Sequence, residues 1–273
     1  MRHLPQNIDF AGYYRLYMQK IGYAEKPASH WDKKAHSLNQ PGRFSQSQYI
    51  QNLLSRINWE ETSTLLDVGC GTGALALPAA RKTKHVYCMD YSAVMLDFLA
   101  ENARLAGIGN YSALHMDKAS DWRGRVPVCD TVVCSRAGLD GDLAALFAKL
   151  SAYAKYRVYY THLVGGRFDI PELSAILGQE QKPFPDYIFA VNILYQIGYN
   201  PKLDYITSSG RLNGCQNWNT FQTAVCGQYG FTDLNHLDGQ TQAELRRWHA
   251  DNAGLFDSPR YGMKWALISW ETE

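Results

Sequence analysis

Apolar positions change their period along the chain. Between Ser47 and Ile57, Tyr49, Ile50, Leu53, Leu54 and Ile57 recur at helical spacing. From Ser63 the rhythm becomes short apolar runs separated by helical segments. Ser63–Val68, His85–Asp90, Tyr111–Met116, Val126–Cys134 and Arg157–Val164 read as strands. Ala74–Lys82, Ser92–Ala106 and Asp140–Ala152 read as helices, with Ser92 as an N-cap and Gly107 as a stop. After Gly166 two helices are expected within 167–200. The second, Phe184–Ile197, sets Phe184, Ile188, Val191 and Tyr195 on one packing face. A strand at Asp204–Ser208, helices near 219–228 and 240–252, and a last strand at Met263–Trp270 complete the pattern.

Strand alternating with helix implies right-handed βαβ crossovers. The expected fold is therefore α/β: a doubly wound, Rossmann-like, mostly parallel seven-stranded sheet. Helical additions precede it and follow strand five. The expected organisation is an N-terminal helical cap over 1–58 and a sheet domain over 59–273 that carries a helical insertion at 167–200.

Composition narrows the function classes. The chain has 273 residues, 46% hydrophobic and 19% charged, with a net charge of +1. Such a balance gives no field for nucleic acid or an anionic membrane. No apolar run reaches the roughly 18–20 residues of a membrane span. The segment MRHLPQNIDFAGYYRLYMQK lacks the apolar core of a signal peptide, so a cytoplasmic location is expected. The six cysteines (70, 88, 129, 134, 215 and 226) include no C-x-x-C pair and no zinc-finger spacing, which predicts free thiols and no metal.

The chemistry concentrates in LLDVGCGTG, residues 65–73, at the end of the first strand. Glycines there let backbone approach a ligand, and the next helix offers free N–H groups. Gly69, Gly71 and Ala74 formally satisfy a dinucleotide fingerprint. Asp67 argues against it, because an anion at the strand end repels a pyrophosphate and attracts an ammonium or sulfonium. Asp90, 17 residues after Gly73, suits ribose hydroxyls in either case.

The block Leu65–Gly73 resembles the first motif of the class I S-adenosylmethionine-dependent methyltransferases, and the resemblance covers roughly residues 45–165. It implies S-adenosylmethionine as cofactor, S-adenosylhomocysteine as product, and a donor site drawn from Asp67, Gly69, Cys70, Gly71, Gly73, Asp90, Tyr91, Met95, Asp117 and Ser135. Asp117 would accept the adenine amino group, with Met95 and Met116 as apolar faces; Asp117 also reads as a solvated loop acid and Met95 as core. Three further runs, HWDKKA at 30–35, SRAGLD at 135–140 and DYIFAVNILYQIG at 186–198, resemble a prokaryotic methyltransferase group with no assigned substrate.

The strand-four end reads CSRAG, residues 134–138, and not the N/D-P-P-Y/F of enzymes that methylate amino groups of nucleic acids or protein glutamine. A small-molecule acceptor is expected. RNA or protein methylation, and donor binding without catalysis, stand as alternatives. Ser135 and Arg136 are candidates for the acceptor site, Arg136 through an anion-holding fork. His162 is the candidate general base. A surface Arg and a core His are the competing readings. Trp31 and Arg43 are candidates for a lid over the donor, and a helix packed on the sheet is the other reading.

Overall fold

The computed structural model describes residues 8–39 and 47–272. Arg43 lies outside them. The apolar runs form β1 (Thr64–Val68), β2 (His85–Asp90), β3 (Tyr111–His115), β4 (Cys129–Cys134), β5 (Ala154–Leu163), β6 (Lys202–Ser208) and β7 (Met263–Glu271). They make one seven-stranded sheet in the order β3-β2-β1-β4-β5-β7-β6. The pairs β1–β2, β1–β4, β2–β3 and β4–β5 are parallel, which requires crossovers. Helices α4 (Ala76–Ala80), α5 (Ala93–Ala106) and α6 (Leu143–Ala152) lie on three of these connections. Strand order reverses at β1, so a crevice opens between the carboxyl ends of β1 and β4, where open α/β sheets hold ligands. The Rossmann-like sheet expected from the alternation is the one observed.

The remaining helices are α1 (Phe10–Lys20), α2 (Ala28–Leu38), α3 (Gln48–Leu54), α7 (Pro171–Ile176), α8 (Tyr187–Gln196), α9 (Trp218–Tyr229) and α10 (Gly239–Asn252). Local chemistry sets the ends of α5: the Ser92 side chain accepts from Met95 N–H, and Gly107 stops the helix at φ 65°. Other bounds moved. β4 starts at Cys129 rather than Val126, because Pro127 has no N–H for a sheet ladder. α4 starts two residues later than expected, after the left-handed turn at Gly71 and Gly73.

Two compact units result. The first comprises Met1–His162, Pro185–Ile206 and Ala266–Glu273; the second comprises Leu163–Phe184 and Thr207–Trp265. The 58/59 boundary falls inside the first unit, and the 167–200 insertion is divided between the two. In the first unit Leu65, Leu66, Val86, Val132 and Val158 are wholly buried. Phe147 packs edge-on to Tyr160 and Trp270, at ring separations of 5.0 and 5.3 Å. In the second, Leu173, Phe221, Val225, Leu245 and Phe256 form a separate core.

In α8 the buried residues are Ala190, Ile193 and Leu194, while Ile188 and Tyr195 are exposed. The expected packing face was wrong. YIFAVNILYQ is apolar almost all round, so its period selects no face; Phe189 against Phe10 and Tyr14 sets the contact instead. Among the described residues no helix is long and apolar enough to cross a membrane.

Phe147→Ala is expected to destabilise the first unit by about 3–5 kcal/mol, the cost of a large aromatic cavity. Chemical denaturation followed by tryptophan fluorescence measures it, and a loss below 1 kcal/mol would remove Phe147 from the core.

Candidate functional site

The glycine turn is fastened to β2. Gly71 N–H donates to Asp90 Oδ2 at 2.8 Å, and Ser92 N–H donates to Asp90 Oδ1 at 2.9 Å. One carboxylate thus ties the turn after β1 to the start of α5. The glycines have different tasks. Gly69 lies against Ala137, and Gly73 against Leu77 and Leu99, so both are needed for close approach. Gly71 adopts φ 53°, and a Cβ there would meet nothing within 4 Å. Among the described residues nothing covers its backbone on that side.

Asp67 is the penultimate residue of β1 and is 2% exposed. Its Oδ2 is buried with no hydrogen-bond partner among the described residues. Burial first, then the charge of Asp90, pushes its pKa up to about 7, against a lowering from Ala76 N–H. Burial also raises Asp90, which backbone N–H groups partly offset. Two carboxylates crowd the crevice, and one buried oxygen among them is unsatisfied, which is costly unless a donor group arrives. Cys70 is buried beside Cys88, whose hydrogen bond together with burial raises the Cys70 thiol.

The N-terminal segment covers this rim. Tyr91 hydroxyl donates to the Lys26 carbonyl at 2.9 Å, and the Trp31 indole lies beside that hydroxyl. Ser92 Oγ donates to Asp32 at 2.6 Å. Lys118 Nζ holds Glu25 at 2.7 Å, Asp140 at 3.3 Å and the Leu139 carbonyl at 2.6 Å. Trp31 thus reaches the rim beside Asp90. Met95 is buried on the apolar face of α5, and Met116 is buried where its N–H meets the Asp90 carbonyl. Asp117 is half-buried, and its Oδ1 accepts from Ala119 N–H at 2.8 Å, which shapes its own turn.

At the β4 end Ser135 and Arg136 join two residues that the sequence did not single out for the site. Tyr49 hydroxyl donates to Thr161 Oγ1 at 3.0 Å and lies 2.8 Å from Ser135 Oγ. With the Tyr49 proton spent on Thr161, Ser135 is the donor of the second bond and keeps its lone pairs for other partners. Arg136 N–H also donates to Thr161, at 2.9 Å. No local signal linked Thr161 to Tyr49.

His162 does not face this rim. It is 4% exposed, with Nε2 at 2.9 Å from the Pro185 carbonyl and Nδ1 at 3.0 Å from Tyr160 hydroxyl. A carbonyl only accepts, so Nε2 carries the proton, while Nδ1 is enclosed against the Tyr160 hydroxyl, which also donates to the Gly138 carbonyl at 2.9 Å. Burial lowers the His162 pKa. The general-base expectation is corrected on this geometry: Nε2 holds β5 to the turn before α8, and Nδ1 is enclosed against Tyr160 of the same strand. Tyr159, the neighbour of Tyr160, faces away and accepts from Asn58 N–H at 2.9 Å.

A methyltransferase-domain family model matches residues 65–155. The chain is 31% identical, across 98% of both chains, to an uncharacterized protein of Haemophilus influenzae. It is 30% identical over 111 residues, 40% of this chain and 60% of the other, to a probable cobalt-precorrin-6B C(15)-methyltransferase (decarboxylating) of Methanosarcina mazei. The solved structure of a coclaurine N-methyltransferase, bound to N-methylheliamine and S-adenosylhomocysteine, shares the fold at TM-score 0.54 and 13% identity, over 97% of this chain and 95% of that one.

The buried carboxyl gives a pH signature. Below the ordinary carboxylate range Asp67 is neutral folded and unfolded, and adds no cost. As pH rises toward about 7 the unfolded chain ionises first, so folding loses stability. Asp67→Asn is expected to raise the melting temperature at pH 8 and to flatten its fall between pH 5 and 8. An unchanged pH slope in that variant would refute the assignment.

Proposed function

The chain belongs to the class I S-adenosylmethionine-dependent methyltransferases, and on that premise we propose that it methylates a small-molecule acceptor at the β4 end of the sheet. The observation that carries the donor site is the unpartnered, buried Asp67 Oδ2 beside the open face of Gly71. These features fit the donor. Asp67 would take its ammonium, Gly71 backbone would border its chain, and Asp90 would add ribose hydroxyls to the N–H groups it already accepts. A carboxylate has about four lone-pair sites, so two further bonds are available. Asp117 would serve the adenine amino group, with Tyr91, Met95 and Met116 near the ring; Cys70, Gly69 and Gly73 would shape the turn.

When bound, S-adenosylmethionine supplies an electrophilic sulfonium methyl. The chain's part is to hold the acceptor in line and keep water out. Placing two reactants in line is by itself a large share of such catalysis. Ser135, as donor to Tyr49, would keep lone pairs to accept from the acceptor or the donor ammonium. His162 is enclosed, so proton removal does not fall to it, and an acceptor that attacks from an unprotonated or readily deprotonated atom would need no such base. Tyr91, Trp31 and the Lys118–Glu25 pair would exclude water from the donor side.

The near-neutral charge supports a small acceptor over RNA. So does the partial match to a probable cobalt-precorrin methyltransferase. Salt-sensitive retention of RNA by the purified chain would favour the RNA reading instead.

S-adenosylhomocysteine at 100 times its dissociation constant should stabilise the chain by about 2.7 kcal/mol, a shift of roughly 5–10 °C. NAD should give none. Asp90→Ala should weaken that binding by about 1.5–3 kcal/mol, the worth of hydrogen bonds to a charged group. Wild-type affinity in this variant, or a shift with NAD alone, would overturn the donor assignment.

A further inference from the structure

We propose that Arg136 anchors an anionic group, a carboxylate or a phosphate, on the methyl acceptor; this rests on the methyl-transfer reading of the same site. Among the described residues Arg136 is the one non-glycine residue at positive φ, 57°. A long side chain in that region is strained, and such strain persists where the surroundings impose it. Here Thr161 imposes it, because its hydroxyl oxygen accepts Arg136 N–H.

The guanidinium is held as well. Its carbon lies 4.4 Å from the Tyr49 ring centroid. Tyr49 is itself fixed by Ser135 and Thr161. Stacking occupies a face of the guanidinium and leaves its N–H edge available, the geometry that takes an anion through two parallel bonds. Among the described residues no carboxylate pairs with it. Lys118, near the same loop, holds two carboxylates.

Position gives this cation its task. Arg136 is exposed at the mouth of β4, and the next residue, Ala137, packs against Gly69 of the donor turn. A fixed guanidinium with no carboxylate partner among the described residues, beside a site for a cationic donor, selects a partner of opposite charge. Held there by its anionic group, the acceptor has its reactive atom within reach of the donor's methyl end.

The test is an equilibrium titration of the full chain saturated with S-adenosylhomocysteine, at constant ionic strength, with inorganic phosphate in one arm and succinate in the other. Wild type should bind at least one anion saturably, and the tighter arm identifies the group. Arg136→Gln should weaken that binding at least tenfold and change the S-adenosylhomocysteine dissociation constant less than twofold. Arg136→Lys, which keeps charge and loses the fork, should fall between. Absence of saturable binding to wild type in both arms, or equal binding by Arg136→Gln, would overturn the proposal. So would a tenfold loss of S-adenosylhomocysteine affinity in Arg136→Lys with anion binding intact, which would assign the guanidinium to the donor's own carboxylate. If wild type binds the anions but not S-adenosylhomocysteine, the methyl-transfer reading fails and the anion site stands.

Discussion

The hydrogen bond from Gly71 N–H to Asp90 Oδ2, 2.8 Å long, organises the crevice. It joins the turn after β1 to the end of β2, and the other oxygen of the same carboxylate caps the approach to α5 through Ser92. Parallel pairing of β1 with β2 makes the arrangement unavoidable: Asp67 lies opposite Cys88 and Val68 opposite Met89, so both strand-end acids reach the same rim. The consequence is electrostatic. Asp67 is buried within the field of Asp90 and is raised to about 7. A site built on two close carboxylates is poorly satisfied when alone and well matched to a ligand that brings positive charge and hydroxyl donors.

The β4–β5 rim follows a different logic. Tyr49, Ser135 and Thr161 form a chain of hydroxyls that fixes an aromatic ring, and the ring fixes Arg136. Tyr49 comes from α3, so the N-terminal helices are structural members of the site and not only its cover. Tyr23 hydroxyl to the Leu139 carbonyl, at 2.9 Å, and Tyr14 hydroxyl to the Asp140 carbonyl, at 2.8 Å, tie the same N-terminal segment to the loop that follows β4. Both rims thus depend on residues remote in sequence that converge on strand ends.

What the sequence made legible divides along that line. The glycine turn was readable because its function is local: three glycines and two strand-end acids encode their own backbone geometry. The Ser92 cap and the Gly107 stop were readable for the same reason. His162 was misread because its role depends on the carbonyl of Pro185, 23 residues onward, which fixes the tautomer and occupies the ring. Arg136 was noticed as a cation, but its left-handed backbone is imposed by Thr161 on the neighbouring strand and leaves no mark in local sequence. The face of α8 was lost because a helix apolar all round has no period to read.

The two rims together constrain the chemistry. The His162 imidazole is 4% exposed, with Nε2 on the Pro185 carbonyl and Nδ1 against the Tyr160 hydroxyl, so it presents no free nitrogen to a substrate. Of the remaining titratable groups in the crevice, Asp67 and Asp90 face the donor side. On the proposed reading, placement supplies the rate enhancement: the acids of β1 and β2 would set the electrophile, and groups on β4 the acceptor. Placement of this kind needs rigid supports, and the structure supplies them, since each candidate anchor is fixed by a second residue: Asp90 by two backbone N–H groups, Ser135 by Tyr49, and Arg136 by the Tyr49 ring and Thr161.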